Sequence, residues 1–202
     1  MSSCYCYVIN LYCLFFVCTE NVPDLRVVVL VRDPRAVFHS RWSERISAWC
    51  RSAQCADPAT SCADLAEDVT AARQLMAEFP GRVTLLRYED LSLDTAAAAR
   101  RLVRALGLPW HAALEAYIRT HTRPQARARP RRPATDPYGT VRDSAAAVVG
   151  WAASLSAANV SRVEAACSAP MSWLGYPRLP PRPRGDTPPL QDILAPRPAW
   201  AL

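Results

Sequence analysis

The stretch of sequence that indicates the fold class is RVVVLVRDPRAVFHSR, residues 26–41. Its first part, Arg26–Val31, is a continuous and mainly β-branched apolar run, which is typical of a strand buried on both faces of a parallel sheet. Asp33 can cap a helix and Pro34 suits its first turn, so we expect a helix from Pro34 to about Arg45. A buried strand that leads directly into a helix is the unit from which α/β folds are built.

The same alternation continues downstream. Apolar residues at alternating spacings of four and three predict a second helix, roughly Cys62–Phe79. Val83–Tyr88 is another short apolar run and predicts a second buried strand. Asp94 or Thr95 can cap the helix that follows, and Gly107 suits the left-handed position after its end. This order predicts a short parallel sheet flanked by helices.

The two ends of the chain differ from this central part. Residues 1–24 contain an apolar run, 8–18, that is too short to span a bilayer. We interpret them as an atypical leader: a wrongly joined or alternative first exon, a weak signal or anchor, or a genuine first strand. Residues 25–177 are expected to form the domain. Residues 178–202 are rich in proline and lack an apolar period, so a disordered tail is expected.

Arginine supplies all 24 basic residues, and the net charge is +6. The absence of lysine, and of the pattern GxxxxGK[ST], argues against a P-loop phosphotransferase. Anion recognition must therefore rely on guanidinium groups, which present planar, fork-shaped sets of donors. The positive charge fits an anionic ligand, although solubility alone would also explain it.

Four of the eight cysteines lie beyond the leader: Cys50, Cys55, Cys62 and Cys167. Their spacing lacks the paired C-x-x-C of a zinc site. We therefore expect two disulfides, with all three possible pairings open. Disulfides would imply an oxidising compartment such as the lumen of the secretory pathway.

Arg32 and Ser40 are the candidate anion-binding residues. At the carboxyl end of a parallel strand, the turn into a helix exposes backbone amides and the positive end of the helix dipole to a crevice. Arg32 stands there and can bind a phosphate bidentately. Ser40 lies about 10 Å along the helix axis, so a phosphate that touches both residues would lie beside the first two turns. Ala36 shares the face of Ser40, and its small side chain would leave room.

The alternative interpretation is a capped helix in which Arg32 pairs with a carboxylate and Ser40 is merely exposed. Three neighbouring polar residues are expected to have ordinary roles. Glu89 and Asp90 follow the second strand, where carboxylates usually cap a helix or pair with arginine. His39 is expected to be an exposed helix residue, because no histidine has a spaced partner that indicates a metal site or a triad.

The segment RDPRAVFHSR resembles the 3′-phosphate-binding segment of sulfotransferases that use 3′-phosphoadenosine-5′-phosphosulfate. It is similar in particular to the Golgi carbohydrate 6-O-sulfotransferases, which act on N-acetylglucosamine, galactose or N-acetylgalactosamine. The similarity continues in 86–91 (LRYEDL), 136–144 (DPYGTVRDS) and 174–176 (LGY). In that family the first arginine and the serine eight positions later hold the 3′-phosphate, which implies this role for Arg32 and Ser40. Arg142, in a loop rich in small residues, would close over the nucleotide, or it faces solvent.

The resemblance implies a carbohydrate sulfotransferase with this nucleotide as sulfate donor, a glycan or proteoglycan acceptor, and neither metal nor nucleic acid. It also implies a Golgi location, with an amino-terminal membrane anchor that is not recognisable here. The family's sulfate-binding loop, similar to RSGSS, is not found before Val27. We therefore expect an incomplete P-loop-like sulfotransferase fold, no catalytic residue, and a chain that is inactive alone. The alternative is a truncated, non-catalytic module that binds nucleotide or glycan.

Overall fold

A computed structural model of the chain describes residues 24–122, 141, 143–180, 185 and 187–202. Two strands, β1 (Val27–Val31) and β2 (Val83–Arg87), pair in parallel, in a register that joins Val27 to Val83 and Val31 to Arg87. Both strands lie within one residue of their predicted bounds. The α/β class, with a short parallel sheet flanked by helices, is therefore confirmed.

Helices make up most of the remaining described structure. Before β2 lie α1 (Pro34–Arg41), α2 (Glu44–Ser47), α3 (Ala53–Ala56) and α4 (Pro58–Glu78). After β2 follow α5 (Tyr88–Leu93), α6 (Thr95–Ala105), α7 (Ala112–His121), α8 (Ala146–Val149), α9 (Ala157–Ala166), α10 (Ser168–Leu174) and α11 (Leu190–Ile193). Among the described residues, none of these helices combines the length and apolar character needed to cross a membrane.

The first helix is shorter than predicted, and its ends have local causes. Asp33 caps α1 as expected, accepting a hydrogen bond from the backbone N–H of Arg35, and Pro34 occupies the first turn. At the other end, both the N–H and the hydroxyl of Ser43 donate to the carbonyl of Ser40, at 3.2 and 2.6 Å. This local hydrogen bonding ends the helix at Arg41 instead of Arg45.

The long helix α4 begins earlier than the predicted Cys62. Asp57 caps it by accepting a hydrogen bond from the backbone N–H of Thr60, and Pro58 opens the first turn. The sequence D-P-x-T carries this start signal. The apolar face of α4 packs on the sheet in the main core, whose buried members include Phe38, Val69, Leu85, Val163, Met171 and Tyr176.

Two disulfides form among the described cysteines, as predicted, and the structure selects one of the three pairings. Cys50 bonds to Cys55 and closes a short loop. Cys62 bonds to Cys167 and joins α4 to the junction between α9 and α10. The second bond links segments that lie 105 residues apart in the sequence.

The prediction of a disordered tail is wrong for residues 187–202. Ile193 is fully buried, and Trp200 packs against the main core. The backbone N–H of Leu202 donates to the carbonyl of Leu85 on β2, at 2.8 Å. Composition misled the prediction because the few apolar residues between the prolines are the ones that pack. Residues 1–23, most of the predicted leader, lie outside the described part.

Candidate anion-binding site at the strand tips

The carboxyl ends of the two strands lie side by side and bring Arg32 and Tyr88 together. Because Val31 pairs with Arg87 in the sheet, the residues that follow them stand at the same edge. The guanidinium carbon of Arg32 lies 4.4 Å from the centroid of the Tyr88 ring. Tyr88 is therefore a direct neighbour of Arg32, the residue predicted to bind phosphate. The sequence did not identify Tyr88 as part of the site.

The guanidinium of Arg32 has N–H donors that make no hydrogen bond to the described residues. Its Nη2 donates to the carbonyl of Ala147 at 3.4 Å, which is long for a hydrogen bond. Its Nε is buried and has no partner among the described residues. The same part of the chain offers Arg32 no carboxylate within ion-pair distance. The alternative in which Arg32 is neutralised by a carboxylate therefore has no support among the described residues.

The nearest acidic residues are already engaged with other arginines. Asp33 forms an ion pair with Arg35 at 2.8 Å, with both side chains fully buried. Asp90 accepts two hydrogen bonds from Arg87, at 2.6 and 2.9 Å. Each of these carboxylates is matched by a bidentate guanidinium partner. Neither of these carboxylates therefore neutralises the positive charge of Arg32.

Arg35 holds the first turn of α1 in place through contacts in the protein interior. Besides Asp33 it pairs with Glu164 at 2.8 Å, and it stacks over Trp151 at 4.7 Å. Burial acts to lower the pKa of Arg35, but the attraction and hydrogen bonds of Asp33 and Glu164 outweigh it and raise the pKa. The guanidinium is thus a permanently charged structural group that holds the first turn of α1 in place.

Glu89 is a second buried support of the site. It accepts a hydrogen bond from the backbone N–H of Asp33 at 3.0 Å and one from the hydroxyl of Tyr176 at 2.7 Å. Burial raises the pKa of Glu89, and the two hydrogen bonds oppose the rise. With no exposed surface, Glu89 cannot reach a substrate. Asp90 pairs with arginine as predicted, whereas the structural role of Glu89 is to accept these two hydrogen bonds and not to cap a helix or pair with arginine.

Ser40 lies in the second turn of α1 and is partly buried. Its hydroxyl makes no hydrogen bond to any described residue, and none joins it to Arg32, so a phosphate shared between the two remains a prediction. The space expected beside Ala36 is absent. Ala36 is buried against Trp151 and Ile193, so any phosphate must approach from another side of α1. Arg142 lies outside the described residues.

His39 departs from its predicted exposed position. It is partly buried, and its pKa is lowered first by burial and then by the positive charge of Arg32. The guanidinium therefore acts electrostatically on the second turn of α1. His39 precedes Ser40 directly in the sequence. The effect of Arg32 on the pKa of His39, however, depends on how the strand and the helix pack against each other.

Comparisons with known proteins identify the family that this chain resembles. A family model described as "Sulfotransferase family" matches residues 14–112. Carbohydrate sulfotransferase 1 of Rattus norvegicus is 27% identical over 165 residues, covering 76% of this chain and 39% of the relative. Carbohydrate sulfotransferase 3 of Mus musculus is 30% identical over 166 residues, covering 76% and 34%. Carbohydrate sulfotransferase 7 of Mus musculus is 32% identical over 197 residues, covering 77% and 40%.

The chain thus spans about two fifths of the length of the curated relatives that it matches. No solved structure gives a significant match. Within the described residues, no group of His, Cys, Asp and Glu side chains is arranged to hold a metal ion. The family match includes both strands and the whole turn from β1 into α1. The family model and these relatives together show that the chain belongs to the sulfotransferase family, with carbohydrate sulfotransferases as its relatives.

Proposed function

We propose that this chain is part of a carbohydrate sulfotransferase and that Arg32 and Ser40 bind the 3′-phosphate of 3′-phosphoadenosine-5′-phosphosulfate. The observation that carries the proposal is the unneutralised guanidinium of Arg32 at the tip of β1. A partly buried guanidinium without a carboxylate partner attracts a phosphate more strongly than an exposed one, because water screens it less. The Ser40 hydroxyl is free to donate a further hydrogen bond.

The 3′-phosphate is remote from the sulfate that is transferred, so the proposed site would contribute to catalysis through binding and orientation of the donor. Binding energy from a non-reacting part of a substrate can fix the orientation of the reacting part. In this proposal Arg32 and Ser40 hold the nucleotide end, so that the sulfate meets the acceptor hydroxyl in one geometry. We propose the 6-hydroxyl of N-acetylglucosamine or galactose in a glycan as that acceptor.

The segment after Arg142 supports a role for this residue in closing the site. Asp143 accepts a hydrogen bond from the backbone N–H of Ala146 at 3.0 Å, and Ser144 donates to the carbonyl of Ser92 at 3.1 Å. The same turn brings the Ala147 carbonyl to Arg32. We therefore propose that Arg142 contributes a second guanidinium to the bound nucleotide.

The proposed location is the Golgi lumen. Its support is the pair of disulfides among the described residues, which persist in oxidising compartments, together with the names of the relatives. A membrane anchor belongs to the same proposal and rests on the family alone.

Calorimetric titration tests the nucleotide site. We expect 3′-phosphoadenosine 5′-phosphate to bind much more tightly than adenosine 5′-phosphate or ATP, which lack the 3′-phosphate. Arg32→Met should weaken binding by about 100-fold and Ser40→Ala by about 5-fold, from typical energies of charged and neutral hydrogen bonds. Arg101→Met is the matched control, because Arg101 is exposed on α6 and its loss changes the net charge equally. Equal affinity for ligands with and without the 3′-phosphate would contradict the proposal.

The acceptor is tested separately with labelled donor and a glycan that ends in N-acetylglucosamine, or its 6-deoxy analogue. Label on the glycan but not on the 6-deoxy analogue would support the 6-hydroxyl as acceptor, and label on both would exclude it.

A further inference from the structure

We propose that Tyr88 is a positioning residue of the phosphate site, which holds the Arg32 guanidinium in the orientation in which it meets the ligand. The inference rests on the proposed function and goes beyond it, because it assigns a role to a residue outside the segment that contains Arg32 and Ser40. Tyr88 does not contact the ligand in this proposal. It acts through Arg32.

The way in which Tyr88 holds Arg32 leaves the donors of the guanidinium free. The N–H groups of a guanidinium point outward in its plane, whereas an aromatic ring attracts the cation across its face. A carboxylate partner would occupy two donors and cancel the charge. The ring, 4.4 Å from the guanidinium carbon, does neither. A stacked aromatic ring is therefore the kind of partner that fixes Arg32 and still leaves it able to bind a phosphate.

Two other arginines that lie over aromatic rings, Arg100 and Arg35, show the difference. Arg100 lies 4.4 Å over Trp110, but it also pairs with Glu115 at 2.7 Å. Arg35 lies 4.7 Å over Trp151 and is engaged by buried carboxylates as well. In both cases the charge is satisfied within the protein. At Arg32 the stack is accompanied by one long hydrogen bond, to a carbonyl, and by a buried Nε without a described partner.

Tyr88 is itself held in place from both sides along the chain. Arg87, which precedes it, is buried and bonded to Asp90 and to the carbonyl of Leu174 at 2.9 Å. Glu89, which follows it, is buried and bonded to the Asp33 backbone and the Tyr176 hydroxyl. The ring therefore starts from a fixed backbone position, and the stack costs little additional ordering when a ligand binds.

The test is a double-mutant cycle with 3′-phosphoadenosine 5′-phosphate as the probe. Tyr88→Leu should weaken its binding by about 5- to 30-fold, the range for a partly desolvated cation–π contact. Tyr88→Phe keeps the ring face and should restore binding to within about 2-fold of the parent. In an Arg32→Met background, Tyr88→Leu should have no further effect, because its route to the ligand is gone. Adenosine 5′-phosphate should bind equally to the parent and to Tyr88→Leu.

The outcomes separate this inference from the proposed function. If the parent chain shows no preference for the 3′-phosphate, both fail. If Arg32→Met loses the preference for the 3′-phosphate but Tyr88→Leu keeps it, only the role of Tyr88 is overturned. The role of Tyr88 is also overturned if Tyr88→Phe and Tyr88→Leu weaken nucleotide binding equally. Should the Leu variant not fold, phenylalanines carrying increasing numbers of fluorine atoms at position 88 replace it. Affinity should fall with each fluorine, because fluorine weakens the negative ring face, and constant affinity would overturn the inference.

Discussion

Substitution Arg35→Met removes a buried charge from beneath the strand tips and should lower the free energy of unfolding by about 4 kcal/mol. The side chain of Arg35 is fully buried and ion-pairs with Asp33 and Glu164, each at 2.8 Å. It also donates to the carbonyls of Pro177 at 2.8 Å and Ile193 at 3.2 Å. Methionine is close to arginine in length, so the loss is chiefly of charge and hydrogen bonds, and little of volume.

The magnitude follows from what the substitution leaves behind. Removing one partner of a buried ion pair typically costs about 3–5 kcal/mol, because the remaining charge stays buried without compensation. Here two carboxylates and two carbonyls lose their donor at once, whereas some relaxation toward water is possible at Glu164, whose side chain is 8% exposed. A value near the middle of the range is therefore expected, which is a large part of the total stability of a domain.

Chemical denaturation of the oxidised protein, followed by tryptophan fluorescence and circular dichroism, measures the change. The matched control is Arg100→Met, which breaks an ion pair with Glu115 whose side chains are 49% and 50% exposed. Exposed pairs contribute about 1 kcal/mol or less. If Arg35→Met costs no more than Arg100→Met, the buried network is not what holds the first turn of α1, and the reasoning is refuted.

Three further predictions concern crosslinks and ionisation. Replacing the Cys62–Cys167 disulfide by two alanines should cost about 5 kcal/mol of unfolding free energy, and replacing Cys50–Cys55 about 2 kcal/mol, because their sequence separations are 105 and 5; denaturation with equal cost for both would contradict this. Arg32→Gln should raise the pKa of His39 toward 6.5 without reaching it, since burial, the larger cause, remains; an NMR titration of the imidazole that shows no rise would exclude the influence of Arg32. Burial and the neighbouring carboxylate of Glu89 raise the pKa of Tyr176 well above 10.0, so its hydroxyl stays protonated to a higher pH in the folded state than in the unfolded state. Stability should therefore fall as pH rises above 10. Tyr176→Phe should flatten that alkaline decline, and an unchanged slope would assign it to other groups.

Local signals in the sequence were sufficient for much of the fold. The strands β1 and β2 were predicted to within one residue, because a continuous apolar run between polar residues requires only local information. The cap at Asp33 and the first turn at Pro34 were predicted for the same reason. The early end of α1 was missed because it depends on the Ser43 hydroxyl competing for a helix carbonyl. The cap at Asp57 is also a local signal, and it lies ahead of the apolar spacing from which the start of α4 was predicted.

The site was predictable only where it depends on one strand and the turn after it. Arg32 was placed at the strand tip because its position follows from the end of β1. Its contact with Tyr88 depends on a register between strands that lie far apart in the sequence, and apolar patterns do not encode it. The space expected beside Ala36 was wrong for a similar reason, since Trp151 fills it from the other end of the domain. Distant packing partners decide which face of a helix stays open.

The C-terminal segment adds to the difference between Arg32 and the two other arginines near the strand tips, Arg35 and Arg87. Besides their carboxylate partners, Arg35 donates to the carbonyl of Ile193 and Arg87 donates to the carbonyl of Ala195, each at 3.2 Å, so this segment takes up further donors of both guanidiniums. The approach is tight: a side chain at Gly175, whose φ is +76°, would place its Cβ 2.9 Å from an Arg87 nitrogen. Three unpaired guanidiniums side by side would repel one another. By satisfying two of them internally, the fold leaves Arg32 as the one of these three arginines that has no carboxylate partner among the described residues and that lies over an aromatic ring with a buried, unpaired Nε.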